Sequence, residues 1–307
     1  MITITKVLSQ RLINLRMKTG KRLLTLTVSL FCLLSGSVFA QSEKQDLPLQ
    51  LTTLAHHIGI SVNDVLASAE FYSKVFGGDN VFGEKEPALR YFISFQASDP
   101  SVDAGDVAIG KIGTAGSTGR TVPLIDHYAI GAVPHYGSAF REVLAEMDVV
   151  TVAQASILFD NDNIPVQVAG AVDESMAAGE ITPMPSLYDG PPLVQSSGFD
   201  HIMLRVSNLD DSAAFYNQVF GIEPESRTAD TLWYFDGEVR LGMRLTTTGE
   251  EPGVDTYGVK IAPFNRERLA GELEALGATI HPPQAGDSSQ LLRLSDIDGL
   301  NLVLVAD

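Results

Sequence analysis

The chain of 307 residues has almost no cysteine: it contains a single one, Cys32. Cys32 lies in an apolar stretch near the amino terminus, so the rest of the chain has no thiol. A chain without thiols forms no disulfide and carries out no cysteine chemistry, whatever its compartment. The sequence also lacks a Gly-rich phosphate loop, a Ser-His-Asp order and a nucleotide fingerprint, so it predicts no bound nucleotide and identifies no catalytic residue.

Basic residues are scarce as well. The chain has 21 Lys and Arg against 38 Asp and Glu, a net charge of −17. Six of the basic residues and none of the acidic ones lie in residues 1–40, so 15 basic residues face 38 acidic ones beyond that segment. A surface this acidic repels nucleic acid and anionic lipid. We therefore expect neither nucleic acid nor a membrane as a partner of residues 41–307.

Residues 1–40 have the pattern of a signal peptide. Basic residues at 18, 21 and 22 precede an apolar run over 23–34, and small residues then lead to Ala40. This order predicts cleavage before Gln41 and export to the periplasm or the medium. The apolar run is short for a membrane span. Met17 would start a tighter signal peptide than Met1 does.

A sequence repeat organises the remaining chain. Residues 71–77 read FYSKVFG and residues 215–221 read FYNQVFG, an offset of 144 positions that also carries His57 onto His201. Two matches separated by the same offset indicate a duplicated supersecondary unit.

The periodicity of apolar residues divides the chain into four similar units, each a strand, a helix and two or three strands. The first strands of these units are predicted to begin at 56, 126, 200 and 257. A proline-rich stretch, 171–197, separates the two halves. The predicted domains are module 1 (residues 51–170), a linker (171–197) and module 2 (198–306), in an α+β fold.

Three short segments carry a family resemblance: AHHIGI at 55–60, IDHYAI at 125–130 and FDHIML at 199–204. Together with the strand-return segments 160–168 and 296–304, they resemble the vicinal-oxygen-chelate superfamily of glyoxalases, extradiol dioxygenases, epimerases and bleomycin-type resistance proteins. The resemblance implies tandem modules, each with two βαβββ units that form a cupped, open β-sheet barrel with flanking helices. It also implies a divalent metal on the concave face, with open positions for adjacent substrate oxygens.

The resemblance assigns one metal site to module 1. Its ligands would be His57, His127 and Gln167, and the metal Fe, Mn, Ni or Zn. Imidazole is a common ligand for such ions. The family commonly has Glu where this chain has Gln167, and an amide supplies no charge to the ion. We therefore expect weaker affinity or a changed metal preference.

Module 2 is expected to hold no metal. Tyr257 is predicted to match His127, and Val303 to match Gln167, which leaves His201 as a lone ligand. The sequence leaves open whether His127 pairs with His57 or, if units are exchanged between modules, with His201.

Other polar residues have predicted roles of lesser specificity. Tyr72 and Tyr216 are expected to pack in the core, and His56 to lie on the surface. Asp160 and Asp296 are expected to hold the local backbone of turns. One or two of the basic strand residues, facing a cup, would hold an anionic substrate: Arg90, Lys111, Arg205, Arg240 and Arg244.

Two functions fit these features. One is a metal-dependent enzyme, a lyase, isomerase or ring-cleaving dioxygenase, that acts on a small molecule with vicinal oxygens at a single site in module 1. The alternative is a metal-free module that sequesters a small molecule, as resistance proteins of the superfamily do. Either would act as a monomer or a homodimer.

Overall fold

Two mixed β-sheets and four helices make up the described part of the chain. The computed structural model describes residues 47–77, 81–84, 89–97, 104–112, 121–135, 137–152, 157–171, 182–185, 187–284 and 286–307. The predicted signal peptide, residues 1–40, lies outside these ranges. Within them, every helix is too short or too polar to span a bilayer.

The first sheet is built from two units with the same order of elements. Unit one consists of β1 (Leu51–Val62), α1 (Val65–Phe76), β2 (Val81–Glu84), β3 (Arg90–Ser94) and β4 (Asp106–Lys111). Unit two consists of β5 (Leu124–His135), α2 (Gly137–Glu146), β6 (Thr151–Val152), β7 (Ile157–Phe159) and β8 (Pro165–Ala171). The strand order is β6-β7-β8-β5-β1-β4-β3-β2-β9, where β9 is Thr182–Pro183. The first strands of the two units, β1 and β5, are antiparallel neighbours at the centre.

The second sheet repeats this plan. Unit three consists of β10 (Gln195–Val206), α3 (Leu209–Phe220), β11 (Ser226–Arg227), β12 (Thr231–Phe235) and β13 (Arg240–Leu245). Unit four consists of β14 (Gly253–Ala262), α4 (Arg266–Ala275), β15 (Thr279–Ile280), β16 (Leu291–Ser295) and β17 (Asn301–Ala306). The strand order is β11-β12-β13-β10-β14-β17-β16-β15, again with the two first strands at the centre.

These sheets confirm the predicted α+β class and the βαβββ units. The sequence pattern did not locate the short edge strands β2, β6, β11 and β15, because two to four residues are too few to show alternation. Both ends and a middle segment of the predicted linker take part in the sheets: β8 ends at Ala171, β9 pairs with β2, and β10 begins at Gln195. The module boundaries themselves stay a prediction.

The duplicated helices begin and end in the same way. Asp64 caps α1 by accepting hydrogen bonds from the backbone N–H groups of the first turn, and Asn208 caps α3 likewise. Each helix is followed by a glycine with positive φ, Gly77 (113°) or Gly221 (66°), a backbone conformation that favours glycine. The 144-residue offset therefore extends from the sequence to the helix caps.

The two modules are joined through the faces of the sheets that line the hydrophobic core, which we call the packed faces. Tyr72 on α1 donates a hydrogen bond to Oδ2 of Asp296 (2.6 Å), and its hydroxyl lies 2.9 Å from that of Tyr257 on β14. Both tyrosines are fully buried. A helix of module 1 is thus bonded to the central strand and a turn of module 2.

A matching chain of hydrogen bonds runs in the opposite direction. Tyr128 on β5 donates to the hydroxyl of Tyr216 on α3 (2.6 Å), and Tyr216 donates to Oδ2 of Asp160 (3.3 Å). Burial raises the pKa of Asp160 to about 6. The prediction that Tyr72 and Tyr216 are core residues is confirmed, and these two tyrosine–aspartate chains show that each also binds the other module.

Each aspartate of these chains also holds its own turn. Oδ1 of Asp160 accepts from the N–H groups of Asp162 and Ile164, at 2.9 Å each. Oδ1 of Asp296 accepts from Asp298 and Leu300 at 2.9 and 2.8 Å. The predicted turn role is therefore confirmed, and the second carboxylate oxygen provides the bond between modules.

Candidate metal centre

The three predicted ligands lie on neighbouring strands at the centre of the first sheet. His57 on β1 is opposite Ala129 on β5, and Ala129 is opposite Gln167 on β8. His127 is opposite Gly59, two residues along β1. Because cross-strand partners share a face of a sheet, His57, His127 and Gln167 all lie on one face. We call this the site face, as opposed to the packed face.

This arrangement shows whether His127 lies beside His57 or beside His201. The rings of His57 and His127 are 5.5 Å apart between centroids and nearly perpendicular, at 89°. His201 lies on β10, in the other sheet. His127 therefore shares its site face with His57.

The contact between His57 and Gln167 constrains the protons of the site. Nε2 of His57 lies 3.2 Å from Oε1 of Gln167, and Nδ1 of His57 lies 3.0 Å from Nδ1 of His56. A neutral imidazole has one donor and one acceptor nitrogen. If Nδ1 holds the proton, Nε2 and Oε1 are two acceptors facing each other, a pair that a cation between them would satisfy. If Nε2 holds it, the pair is a hydrogen bond.

His127 offers a second nitrogen to the same face. Its Nδ1 lies 3.1 Å from Oδ2 of the buried Asp126, and a carboxylate in that position orients a metal-binding imidazole. Its Nε2 is buried and has no hydrogen-bond partner among the described residues. A buried polar atom without a partner is costly, and a bound cation would satisfy it.

Glycine at position 59 makes room for this imidazole. A Cβ on Gly59 would lie 2.0 Å from Cε1 of His127, so the ring occupies the space that any side chain would need. The sequence pattern placed Gly59 on the site face without indicating this contact, which depends on the pairing of two strands distant in sequence.

The charge state of His57 suits a ligand. Burial, together with the neighbouring His127 and His56, holds the pKa of His57 well below its ordinary value. At neutral pH the side chain is therefore uncharged and keeps a lone pair for a cation. The donors His57, His127 and Gln167 thus fit a divalent metal of the borderline class, with a net ligand charge of zero.

A second group of donors lies on the other side of His57 and was not predicted. Ligand atoms of His56, His57 and Asp106 all lie within 4.8 Å of one another. His56, predicted to lie on the surface, is half-buried, and Asp106 is the partner of His57 on β4. This group contains a carboxylate, whereas the set of His57, His127 and Gln167 contains none. It shares His57 with the predicted set.

The second sheet departs from the predicted alignment by one residue. His201 on β10 corresponds to His57, and by strand register Tyr257 corresponds to Tyr128 while Thr256 corresponds to His127. The prediction that Tyr257 matches His127 is therefore wrong. It failed because it assumed an offset of 130 residues between β5 and β14, whereas the strand register gives 129.

The other two module 2 positions are as predicted. Val303 is opposite Gly258 as Gln167 is opposite Ala129. His201 lies above Gly258, where a Cβ would be 2.4 Å from its Nδ1. Module 2 thus keeps the histidine, has glycine where module 1 has Ala129, and has threonine and valine at the other two ligand positions.

Asp126 and Asp200 are functional candidates that the sequence reasoning missed. Asp200 accepts from Nδ1 of His201 at 2.6 Å, as Asp126 does from His127. The signal was an Asp-His pair that occurs at 126–127 and again at 200–201. Such a repeated pair indicates a carboxylate that fixes the tautomer of an imidazole.

Comparison with known proteins supports the resemblance. Residues 198–284 match the family model of the Glyoxalase/Bleomycin resistance protein/Dioxygenase superfamily. The chain therefore contains a domain of this superfamily, as the sequence motifs predicted. A search of curated proteins found no match.

Solved structures extend the likeness to both modules. The Mn(II)-bound glyoxalase from Novosphingobium aromaticivorans is 15% identical, with a TM-score of 0.57 over 84% of this chain and 83% of that one. The 2,3-dioxygenase LapB from Pseudomonas sp. KL28 is 11% identical, with a TM-score of 0.56 over 84% and 93%. Homoprotocatechuate 2,3-dioxygenase from Arthrobacter globiformis is 12% identical, with a TM-score of 0.56 over 88% and 84%. At such identities the likeness establishes the fold.

Proposed function

We propose that this protein is a divalent-metal-dependent enzyme that acts on a small molecule with two adjacent oxygens, at one site on the site face of module 1. The observation that carries the proposal is the buried Nε2 of His127, without a partner among the described residues, on the same face as the His57–Gln167 pair. The similarity to a Mn(II)-bound glyoxalase supports a metal in this fold.

Each residue of the site has a distinct task. His57, His127 and Gln167 would hold the ion, Asp126 would keep the proton of His127 on Nδ1, and Gly59 would leave space for the ring. When bound, the metal would act as a Lewis acid toward a pair of substrate oxygens.

The floor of the site is formed by small side chains. The neighbours of the histidines on this face are small, namely Ala129 on β5 and Ala108 on β4, and both are buried outside the main apolar cluster. Because the three ligands are neutral, none of them would offset the charge that an ion held here presents to a substrate. We infer that an anionic oxygen pair, such as an enediolate or a catecholate, is the preferred ligand.

Elemental analysis of protein purified without chelator tests the proposal. We expect about one metal per chain in wild type and in His201→Ala, and none in His127→Ala, with all three proteins folded by circular dichroism. Metal retained in His127→Ala but lost in Asp106→Asn would assign the ion to the second donor group. Near two metals per chain would contradict a single site.

The metal-free alternative keeps one observation in its favour. The amide of Gln167 completes the hydrogen bonding of His57 without an ion. Calorimetric titration with Mn²⁺, Ni²⁺ and Fe²⁺, followed by catechol with and without metal, separates the two functions. Catechol binding that requires the metal supports the enzyme, whereas tight catechol binding to protein that binds none of the three ions supports sequestration.

We further propose that the protein is exported and begins near Gln41. The support is the basic, apolar and small-residue order of residues 1–40. Amino-terminal sequencing of protein from fractionated cells tests this. An intact Met1 or Met17 on cytoplasmic protein would contradict it.

A further inference from the structure

The site face of the second sheet carries a platform of apolar and aromatic side chains. Trp233, Gly242 and Met203 lie in one row across β12, β13 and β10. A Cβ on Gly242 would be 2.7 Å both from the Trp233 ring and from Cε of Met203, so these two side chains cover the glycine from either side. His201 stands edge-on to Trp233, with 6.1 Å between ring centroids. Trp233 and Met203 are both partly exposed.

Cations are concentrated on the same face. Five of the 15 basic residues beyond residue 40 lie on the same face of the sheet as His201, as the strand register shows. These are Arg205, Arg240, Arg244, Lys260 and Arg293. A chain with a net charge of −17 repels anions at long range, so an anion bound on this face would depend on direct contacts with these basic residues.

These cations differ in how fully carboxylates satisfy them. Arg244 is bonded to Glu250 and Asp255, and Arg205 to Asp255, so both are held within one ion-pair network. Arg293 is held by two bonds to Asp287. These three guanidinium groups are built into the sheet.

Arg240 and Lys260 have more capacity to bind. Arg240 makes one bond to Asp200, which also serves His201, and its side chain is 49% exposed. Its guanidinium carbon lies 5.6 Å from the centroid of the Trp233 ring. Lys260 donates to the carbonyl of Glu238, in the turn that precedes β13. Both cations therefore lie at the end of the platform nearest the β12–β13 turn.

We propose that this face of module 2 binds a planar aromatic anion, whose ring lies on Trp233 and Met203 and whose carboxylate or sulfonate contacts Arg240 and Lys260. An aromatic ring and a thioether contact a flat π-system well, and guanidinium binds a carboxylate through two parallel hydrogen bonds. The site requires no metal and is separate from the proposed centre in module 1, which lies on the other sheet.

The lone tryptophan of the chain reports directly on this site. In a ¹H–¹⁵N spectrum of labelled protein, Trp233 contributes the one indole signal. We expect 2-naphthoate to shift that signal saturably, and 2-naphthamide, the neutral analogue of the same shape, to bind at least about tenfold more weakly. Calorimetry measures both affinities independently.

Variants separate this site from a non-specific attraction. Arg240→Gln should weaken 2-naphthoate at least about tenfold and leave 2-naphthamide unchanged. Trp233→Leu should weaken both by calorimetry. Arg268→Gln, an exposed arginine on α4 paired with Glu272, is the control and should bind as wild type does. His127→Ala should also bind normally, so failure of the metal proposal leaves this test intact.

Three outcomes would overturn the proposal. They are no saturable binding of 2-naphthoate, binding that leaves the indole signal in place, and equal affinity for the acid and the amide. Loss of binding in His127→Ala would place the ligand in module 1 and would overturn it as well.

Discussion

The two modules are alike on their packed faces and different on their site faces. On the packed faces, Tyr128 and Tyr257 occupy the same register position, and each is bonded to a tyrosine of the other module. On the site faces, His127 and Gln167 of module 1 correspond to Thr256 and Val303 of module 2.

This difference shows which positions the duplicated fold requires. The tyrosine–aspartate chains hold the modules together. Loss of the tyrosine or of the aspartate would leave a buried polar group unpaired. The site faces contribute less to holding the modules together, so their side chains are free to differ. The scaffold is therefore shared, while each sheet has its own chemistry.

The largest expected effect concerns the two buried aspartates. Asp160 has its pKa raised to about 6 by burial next to Tyr216 and Tyr128. Its pKa in the unfolded chain is about 3.9. Between these values the folded state keeps a proton that the unfolded state has lost, so the free energy of unfolding should fall by roughly 2 kcal/mol as pH rises from 4 to 7. Asp160→Asn should remove this part of the pH dependence.

Urea denaturation at several pH values between 4 and 7 measures the effect. Burial raises the pKa of Asp296 too, so Asp296→Asn should change the profile in the same direction. Asp189→Asn, at an exposed position, should keep the wild-type profile. If the free energy of unfolding of Asp160→Asn depends on pH as that of wild type does, ionisation of Asp160 does not destabilise the folded protein.

The second prediction concerns the glycines beneath the histidines. Gly59→Ala would place a Cβ 2.0 Å from the His127 ring and displace it. We expect metal affinity to fall about 10- to 100-fold, the range seen when support for a ligand is removed. Gly258→Ala should displace His201 instead and leave metal affinity unchanged. Calorimetry with Mn²⁺ on both variants checks this. Equal losses of Mn²⁺ affinity in the two variants would mean that the modules do not differ as described.

The third prediction changes the charge of the site. Gln167→Glu adds a carboxylate beside the ion, and we expect divalent metal affinity to rise at least about tenfold, roughly 1.4 kcal/mol. The same substitution at the exposed Gln195 serves as the control and should have no effect. Unchanged affinity in Gln167→Glu would show that residue 167 is not a ligand and would favour the group of His56, His57 and Asp106.

The smallest expected effect tests the likeness of the packed faces. Tyr128→Phe and Tyr257→Phe each remove one buried hydroxyl and should each lower the free energy of unfolding by about 1 kcal/mol. Thermal and urea denaturation at pH 7 measure both. A cost above about 3 kcal/mol for one variant alone would show that the two chains are not equivalent.

Much of this architecture could be predicted from the sequence, because the signals were local or repeated. The motif FYSKVFG and its copy located α1 and α3, and alternation located the long central strands. The His-led segments at 57, 127 and 201 indicated the superfamily. Each of these features is visible within a stretch of about ten residues or at one constant offset.

Contacts between distant strands were not predictable in this way. The equivalence of Thr256 with His127 depends on register, and a shift of one residue moves a side chain to the opposite face. The role of Gly59 depends on which strand lies beside it. The donors His56 and Asp106 belong to different strands, and nothing in their sequence spacing brings them together.

The sequence by itself determined the four units, the α+β class and the type of ligand available, because hydrophobic periodicity and side-chain chemistry are properties of the chain. Only the tertiary structure decided that His127 shares a face with His57 and not with His201, that tyrosines bond the modules to each other, and that Arg240 lies beside Trp233. Those outcomes depend on strand pairing and packing between segments distant in sequence, where local patterns carry no information on neighbours in space.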